Sequence, residues 1–354
     1  MSETTSPPIA LTEYAHGAGC GCKIAPQVLQ EILKSKAPAF ETKNLLVGNS
    51  SNDDAAVYDL GNGKALISTT DFFMPIVDDA YDFGRVAAAN AISDVYAMGG
   101  SPLLALAILG WPVTKLPVDL AQKVMEGARS ICLQAGIPLA GGHSIDTLEP
   151  MFGLSVNGMI DNAHIKRNDT AQEGDLIFLT KPIGVGILST AQKRKLLRDE
   201  DKSVLINQLV QLNNVGEKLG KIKNVSAMTD VTGFGLLGHV LEMCGSSLTA
   251  SLRYDDIPKL GSLPFYIAQT LIPDATYRNW NAYQDMVYFD QGIDMAEAFA
   301  LLPDPQTNGG LLFTVNKNGV EEVSALLKEN GLNDLLVPIG IMLKRGEKPL
   351  RIES

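Results

Sequence analysis

Apolar residues recur at helical spacing from Pro26 to Leu33, where Val28, Leu29, Ile32 and Leu33 form one stripe behind a proline suited to a first helical turn. Upstream, residues 1–25 carry neither a helical nor a strand period, so they read as a flexible arm or lid. From Ala55 to Thr70 the pattern becomes strand-like, broken by Gly61-Asn62-Gly63, and an Asn-Gly pair between apolar runs predicts a hairpin. Helices are expected over residues 82–98, stopped by Gly99-Gly100-Ser101-Pro102, and over 118–135, with Leu120, Val124, Ala128, Ile131 and Cys132 turned inward. Residues 103–109 and 154–160 read as strands. The second half mixes strands at 176–180 and 311–315 with helices at 203–219, 234–243 and 320–329. The polar stretch 161–174 reads as a connection, and strand and helix alternate without a regular repeat. The expected fold class is therefore α+β, with an arm (1–25), an N-terminal domain (26–165) and a C-terminal domain (166–354).

Composition narrows the function. The 354 residues, 45% hydrophobic, can fill two cores. A formal charge of -11, from 29 Lys plus Arg against 40 Asp plus Glu, leaves no broad basic field for nucleic acid or anionic lipid. No apolar run approaches the roughly 20 residues of a membrane span, and the N-terminus lacks the pattern of a secretory signal, so a cytoplasmic location is expected. Four cysteines do not make a disulfide framework. Cys132 is expected in the core.

Candidate chemistry lies in two places. If Asn62-Gly63 is a two-residue turn, Asp54 sits across from Asp71 at about 5 Å, a repulsive pair that invites a cation between the carboxylates. Asp53 then points to the other strand face, which favours Asp54 as a ligand. Asn90 and Asp94 share one helix face, where a solvated surface is the plain alternative. Asp230 precedes Val231-Thr232-Gly233-Phe234-Gly235, where helix capping is the plain alternative. Aspartates on separate elements suit Mg²⁺ together with substrate phosphates, and do not suit zinc. Gly233-Phe234-Gly235-Leu236-Leu237-Gly238 matches a dinucleotide fingerprint without its βαβ surroundings, and no P-loop occurs. In the arm, Gly19-Cys20-Gly21-Cys22-Lys23 sets two thiols on a pliable backbone beside a lysine, with His16 nearby; a neighbouring cation favours the thiolate. A metal site of His16, Cys20 and Cys22, or an incidental exposed thiol, are the alternatives there.

Seven segments in order resemble the selenophosphate synthetases (selenide, water dikinases) of the aminoimidazole ribonucleotide synthetase-like superfamily: HGAGCGCK (16–23), DDAAVYDL (53–60), STTDFF (68–73), NAISDVYAMGG (90–100), GGHS (141–144), TDVTGFGLLGH (229–239) and DPQTNGG (304–310). The arm segment is particular to the selenium enzymes, whereas the later segments resemble the wider superfamily. The resemblance implies two mixed domains of that superfamily's type, the N-terminal one forming a dimeric β-barrel-like core. It implies the reaction of ATP, selenide and water to selenophosphate, AMP and orthophosphate, supplying selenium for selenocysteine and selenouridine. By the same resemblance Cys20 and Lys23 are catalytic, Cys22 is less critical, and Asp54, Asp94 and Asp230 are Mg²⁺ ligands. ATP is implied to meet Lys23, Ser51, Asn52, Asp53, Asp71 and Asp94, with Gly142, His143 and Ser144 reaching it across a homodimer. A selenium-delivery protein is a further implied partner. Another synthetase of the superfamily, or a nucleotide-regulated cysteine carrier of selenium or metal, are the competing readings.

Overall fold

The alternation around the Asn-Gly pair folds into a hairpin of β2 (Ala56–Asp59) and β3 (Lys64–Phe73). The computed structural model describes residues 9–24, 26–34, 42–48 and 53–354. The turn holds three residues, not two. Ala56 pairs with Ser68 and Val57 with Ile67, one residue away from the expected register, so Asp54 does not face Asp71 across a ladder. Gly61 and Gly63, at φ +78° and +80°, supply the left-handed backbone that the longer turn requires.

The hairpin belongs to a mixed sheet with β1 (Leu45–Val47), β4 (Ser101–Trp111), β5 (Leu139–Asp146) and β6 (Met151–Asp161), in the order β1-β2-β3-β6-β4-β5. Its inner face, including Ala65, Ile67, Ala105, Leu154 and Val156, is buried beneath α2 (Ala80–Ala97), and α3 (Val118–Gln134) lies against α2. The two helices approach closely because glycines meet backbone: a Cβ on Gly84 would lie 1.9 Å from the Val124 carbonyl oxygen, and one on Gly127 would lie 1.9 Å from that of Tyr81. Cys132, on α3, is buried as expected. On the outer face Tyr58, Phe72 and Leu106 are exposed, and so is β5 from Ala140 to Asp146.

A second mixed sheet comprises β7 (Leu176–Leu179), β8 (Val225–Asp230), β9 (Leu248–Arg253), β10 (Val287–Phe289), β11 (Leu311–Val315), β12 (Gly340–Lys344) and β13 (Leu350–Glu353). Its order is β10-β13-β9-β12-β7-β11-β8. Phe178 and Phe313 stack at 5.5 Å within it. Around it are α4 (Val185–Lys193), α5 (Asp199–Val210), α6 (Val215–Lys221), α7 (Gly235–Cys244), α8 (Leu263–Ile267), α9 (Asp274–Tyr283), α10 (Met295–Leu301) and α11 (Val320–Glu329).

Two expected elements change. The helix expected over 203–219 is two helices, broken where Asn213 leaves the spiral and donates from Nδ2 to Ser93 Oγ and the Gly309 carbonyl, both at 2.8 Å. α1 (Pro26–Leu33) forms, but its stripe of Val28, Leu29, Ile32 and Leu33 is exposed instead of packed. No helix among the described residues is long and apolar enough to cross a membrane.

Candidate active site

The inner edge of the first sheet, the face of α2 and the end of β8 converge on a cluster of carboxylates. α2 is buried along nearly its whole length, Asn90 included at 0% exposure, which removes the solvated-face reading of Asn90 and Asp94. Asp230 is the last residue of β8 and caps nothing, because α7 begins at Gly235 behind Phe234. Asp54 lies just before β2, and Asp71 lies near the end of β3.

Each carboxylate receives a neutral donor. Thr69 Oγ1 donates to Asp94 at 2.5 Å, Ser93 Oγ to Asp230 at 2.5 Å, Thr229 Oγ1 to Asp54 at 2.8 Å and Asn90 Nδ2 to Asp71 at 2.5 Å. These bonds orient the acids without neutralising them. Burial pushes the Asp54 carboxyl well up, with Asp230, Asp53 and Asp94 adding repulsion. Burial, then Asp230 and Asp71, do the same to Asp94. Asp230 is also raised by burial, against the opposing pull of Ser93, His239 and Lys23. Oδ2 of Asp54 is buried with no hydrogen-bond partner. An orphaned carboxylate oxygen among mutually repelling acids fits a hard cation. Among the described residues no three Asp, Glu, His or Cys side chains are gathered closely enough to hold a metal ion by themselves.

Asp53 turns away from this cluster. Its Oδ1 accepts from the Asn168 backbone N–H at 3.2 Å, and Oδ2 stands 3.9 Å from Arg167. Burial, the largest influence, raises its pKa to about 6. Ser51 and Asn52 lie outside the described residues. Gly142, His143 and Ser144 are exposed on β5. The register His143–Ile108–Gly153–Phe72 puts His143 three strands from β3, about 14 Å at ordinary strand spacing, on the face opposite to Asp71.

The arm lies on the cluster. Cys20 is 2% exposed; its N–H donates to Thr307 Oγ1 at 3.0 Å, and its Sγ donates to Asn90 Oδ1 at 3.3 Å. Asn90 Oδ1 also accepts from the Asn308 N–H at 2.7 Å, so one amide ties the thiol, Asp71 and the 304–310 loop together. The thiol is not activated in this arrangement. Burial and then Asp71 push its pKa well up, outweighing Lys23, which corrects the expectation of a lysine-favoured thiolate. Desolvation near the cluster works against the Lys23 charge, but Asp71, Cys20, Asp94 and Asp230 outweigh it and hold the ammonium above the ordinary lysine value, while the side chain keeps exposed surface. His16 pairs with Glu149 at 2.8 Å while Cys20 faces Asn90, so these two do not gather a metal, and Cys20 is no exposed thiol.

The Gly-rich stretch that imitates a dinucleotide fingerprint serves the arm. A Cβ on Gly233 would lie 2.6 Å from the Cys20 carbonyl oxygen and 3.2 Å from Lys23 Cδ. Sequence reasoning assigned no role to Thr69, Ser93, Thr229, Thr307 or Asn308, although each falls inside a quoted motif. Polar residues beside the acids were the available signal.

Residues 52–160 match the family described as AIR synthase related protein, N-terminal domain, and residues 172–352 match AIR synthase related protein, C-terminal domain; the chain belongs to this family. Solved structures of the same fold include thiamine-monophosphate kinase from Stenotrophomonas maltophilia K279a (TM-score 0.64, 21% identity, 88% of this chain and 92% of that one). Hydrogenase maturation protein HypE in complex with ATP is another (TM-score 0.62, 16% identity, 97% and 94%). At these identities they speak for the fold alone. The chain is 56% identical over 330 residues, 93% of each chain, to the selenide, water dikinase of Shewanella sp. (strain MR-4), and 56% identical over 321 residues, 90% of each, to that of Shewanella baltica (strain OS185). Within the AIR synthase related family it is thus a member of the selenide, water dikinases, which are kinase-type enzymes.

Proposed function

We propose that this chain converts ATP, selenide and water into selenophosphate, AMP and orthophosphate, supplying activated selenium for selenocysteine and selenouridine synthesis. The observation that supports the reading at the level of residues is the seating of Cys20 on Asn90, which also holds Asp71 of the acid cluster. Asp54, Asp94 and Asp230 would hold Mg²⁺, which supplies charge neutralisation and orientation of the triphosphate. Lys23 brings an ammonium that its acidic neighbours keep charged, placed to stabilise a transferring phosphoryl group. Asp71 and Asp53, with Ser51 and Asn52, would line the nucleotide. The Cys20 thiol is a soft group suited to handling selenium, and the docked arm keeps bulk water from the first transfer.

The outer face of the first sheet favours a homodimer. Tyr58, Phe72 and Leu106 expose apolar surface there, and pairing two such sheets would bury it in a barrel-like core. In that assembly the exposed Gly142, His143 and Ser144 of one protomer would reach the partner's nucleotide. A selenium-delivery protein as donor and a cytoplasmic setting complete the proposal, since a buried reduced thiol suits a reducing compartment.

The decisive experiment is anaerobic incubation with ATP, Mg²⁺ and selenide, followed by phosphorus NMR and nucleotide analysis. Selenide-dependent AMP and a selenophosphate signal are expected. ADP as the sole, selenide-independent product would overturn the reading in favour of another synthetase. Cys20→Ser is expected to abolish selenide-dependent turnover while sparing Mg-ATP binding, and full activity in that variant would remove the thiol's role.

A further inference from the structure

Lys195 pairs with Glu13 near the start of the arm at 3.2 Å, and two further cations outside the acid cluster grip the arm on either side of Cys20. Lys193, the last residue of α4, directs its Nζ to three successive carbonyls, those of Ala15 at 3.0 Å, His16 at 3.2 Å and Gly17 at 2.9 Å. Arg278, on α9, donates from Nη2 to the Gly21 carbonyl at 2.8 Å. These grips fall on either side of Gly19 and Cys20. Upstream, the arm is anchored independently by buried Leu11, whose N–H donates to the Asp78 carbonyl at 3.1 Å. The stretch between the grips spans a cavity of about 550 Å³, walled by Gly17, Ala18 and Gly21 on one side and by α4 and α9 on the other.

Between the grips the Gly19 N–H donates to the Met74 carbonyl at 3.1 Å and the Cys20 N–H to Thr307 Oγ1 at 3.0 Å, but the segment forms no ladder, and the carbonyls of residues 15–17 and 21 are met by the two cations. An ammonium offers three donors, and here three consecutive carbonyls meet them. Charge-assisted bonds of this kind are stronger than neutral ones, yet water can replace them at a partly exposed site. Glycines 17, 19 and 21 leave the backbone free to move once the grips let go.

We propose that Lys193 and Arg278 are positioning residues that latch the arm shut and thereby determine whether Cys20 and Lys23 stand over the acid cluster. The latch rests on the reading of Cys20 and Lys23 given above, and its test separates the two. In the full-length protein carrying Cys22→Ala, the rate of Cys20 alkylation by iodoacetamide is followed by mass spectrometry, alongside selenide-dependent AMP formation. Lys193→Met with Arg278→Met is expected to raise the alkylation rate about tenfold or more, and to lower kcat by a similar factor with the KM for ATP within about twofold. Lys193→Arg, which retains donors for the carbonyls, should restore most of both. An unchanged alkylation rate in the double variant overturns the latch. So does a loss of activity accompanied by equal losses in ATP affinity and melting temperature, the mark of general damage to the fold. Alkylation needs no selenium chemistry, so faster labelling in a chain that makes no selenophosphate would leave the latch standing and overturn the proposed function instead.

Discussion

At Gly233 a single missing methyl decides how near the arm can come. With its virtual Cβ 2.6 Å from the Cys20 carbonyl oxygen, Gly233→Ala must push the arm outward or shift the loop that follows Asp230. Turnover with selenide is expected to fall about tenfold or more while Mg-ATP affinity stays within about twofold, measured by steady-state kinetics and calorimetry. Wild-type kinetics in that variant would mean that the close approach is dispensable. The aspartates and Cys20 stood out in the sequence because their chemistry is unusual for their surroundings. Their orienting partners did not, because Ser93 and Asp230 are 137 positions apart and Cys20 and Thr307 are 287 apart.

Among the elements, α4 shows how a buried acid can serve the fold instead of the chemistry. Asp304, at 0% exposure, accepts from the Gly186 N–H at 2.9 Å, and Gln306 Oε1 accepts from those of Gly184 and Val185, so the first turn of α4 is closed by side chains of the 304–310 loop. Burial raises the Asp304 pKa from 3.8 to about 8, against the effect of its hydrogen bonds with Gln306 and the α4 backbone. The folded chain therefore keeps a proton there that the unfolded chain releases. This contribution to stability is fully present below the unfolded value of 3.8 and is lost as pH rises through about 8. Asp304→Asn should flatten that fall and, at pH 8, stabilise the chain by on the order of 1 kcal/mol or more, read from denaturant melts at pH 5 and pH 8. An undiminished pH slope would assign it to other groups. Helix periods foretold α2, α3 and α11 to within about two residues. They missed the break between α5 and α6, where a tertiary bond from Asn213 competes with the helix, and the strand β5, whose glycines carry no apolar period.

For the whole molecule, the open outer face of the first sheet makes the proposed dimer testable. Phe72→Glu or Leu106→Glu would set a charge on that face, and is expected to give monomers by sedimentation with loss of ATP turnover. A fully active monomeric wild type would remove the dimer. By itself the sequence determined the α+β class and the main helices and singled out the acids and the cysteine-bearing arm as candidates, because periodicity and residue chemistry are local properties. Only the tertiary structure decided the three-residue hairpin register, the turning of Asp53 away from the cluster, the burial of the docked thiol against Asn90 and the grip of Lys193 and Arg278 on the arm. Register depends on which partners a whole face can bury, and a pKa or a latch depends on charges and carbonyls brought together from distant parts of the chain.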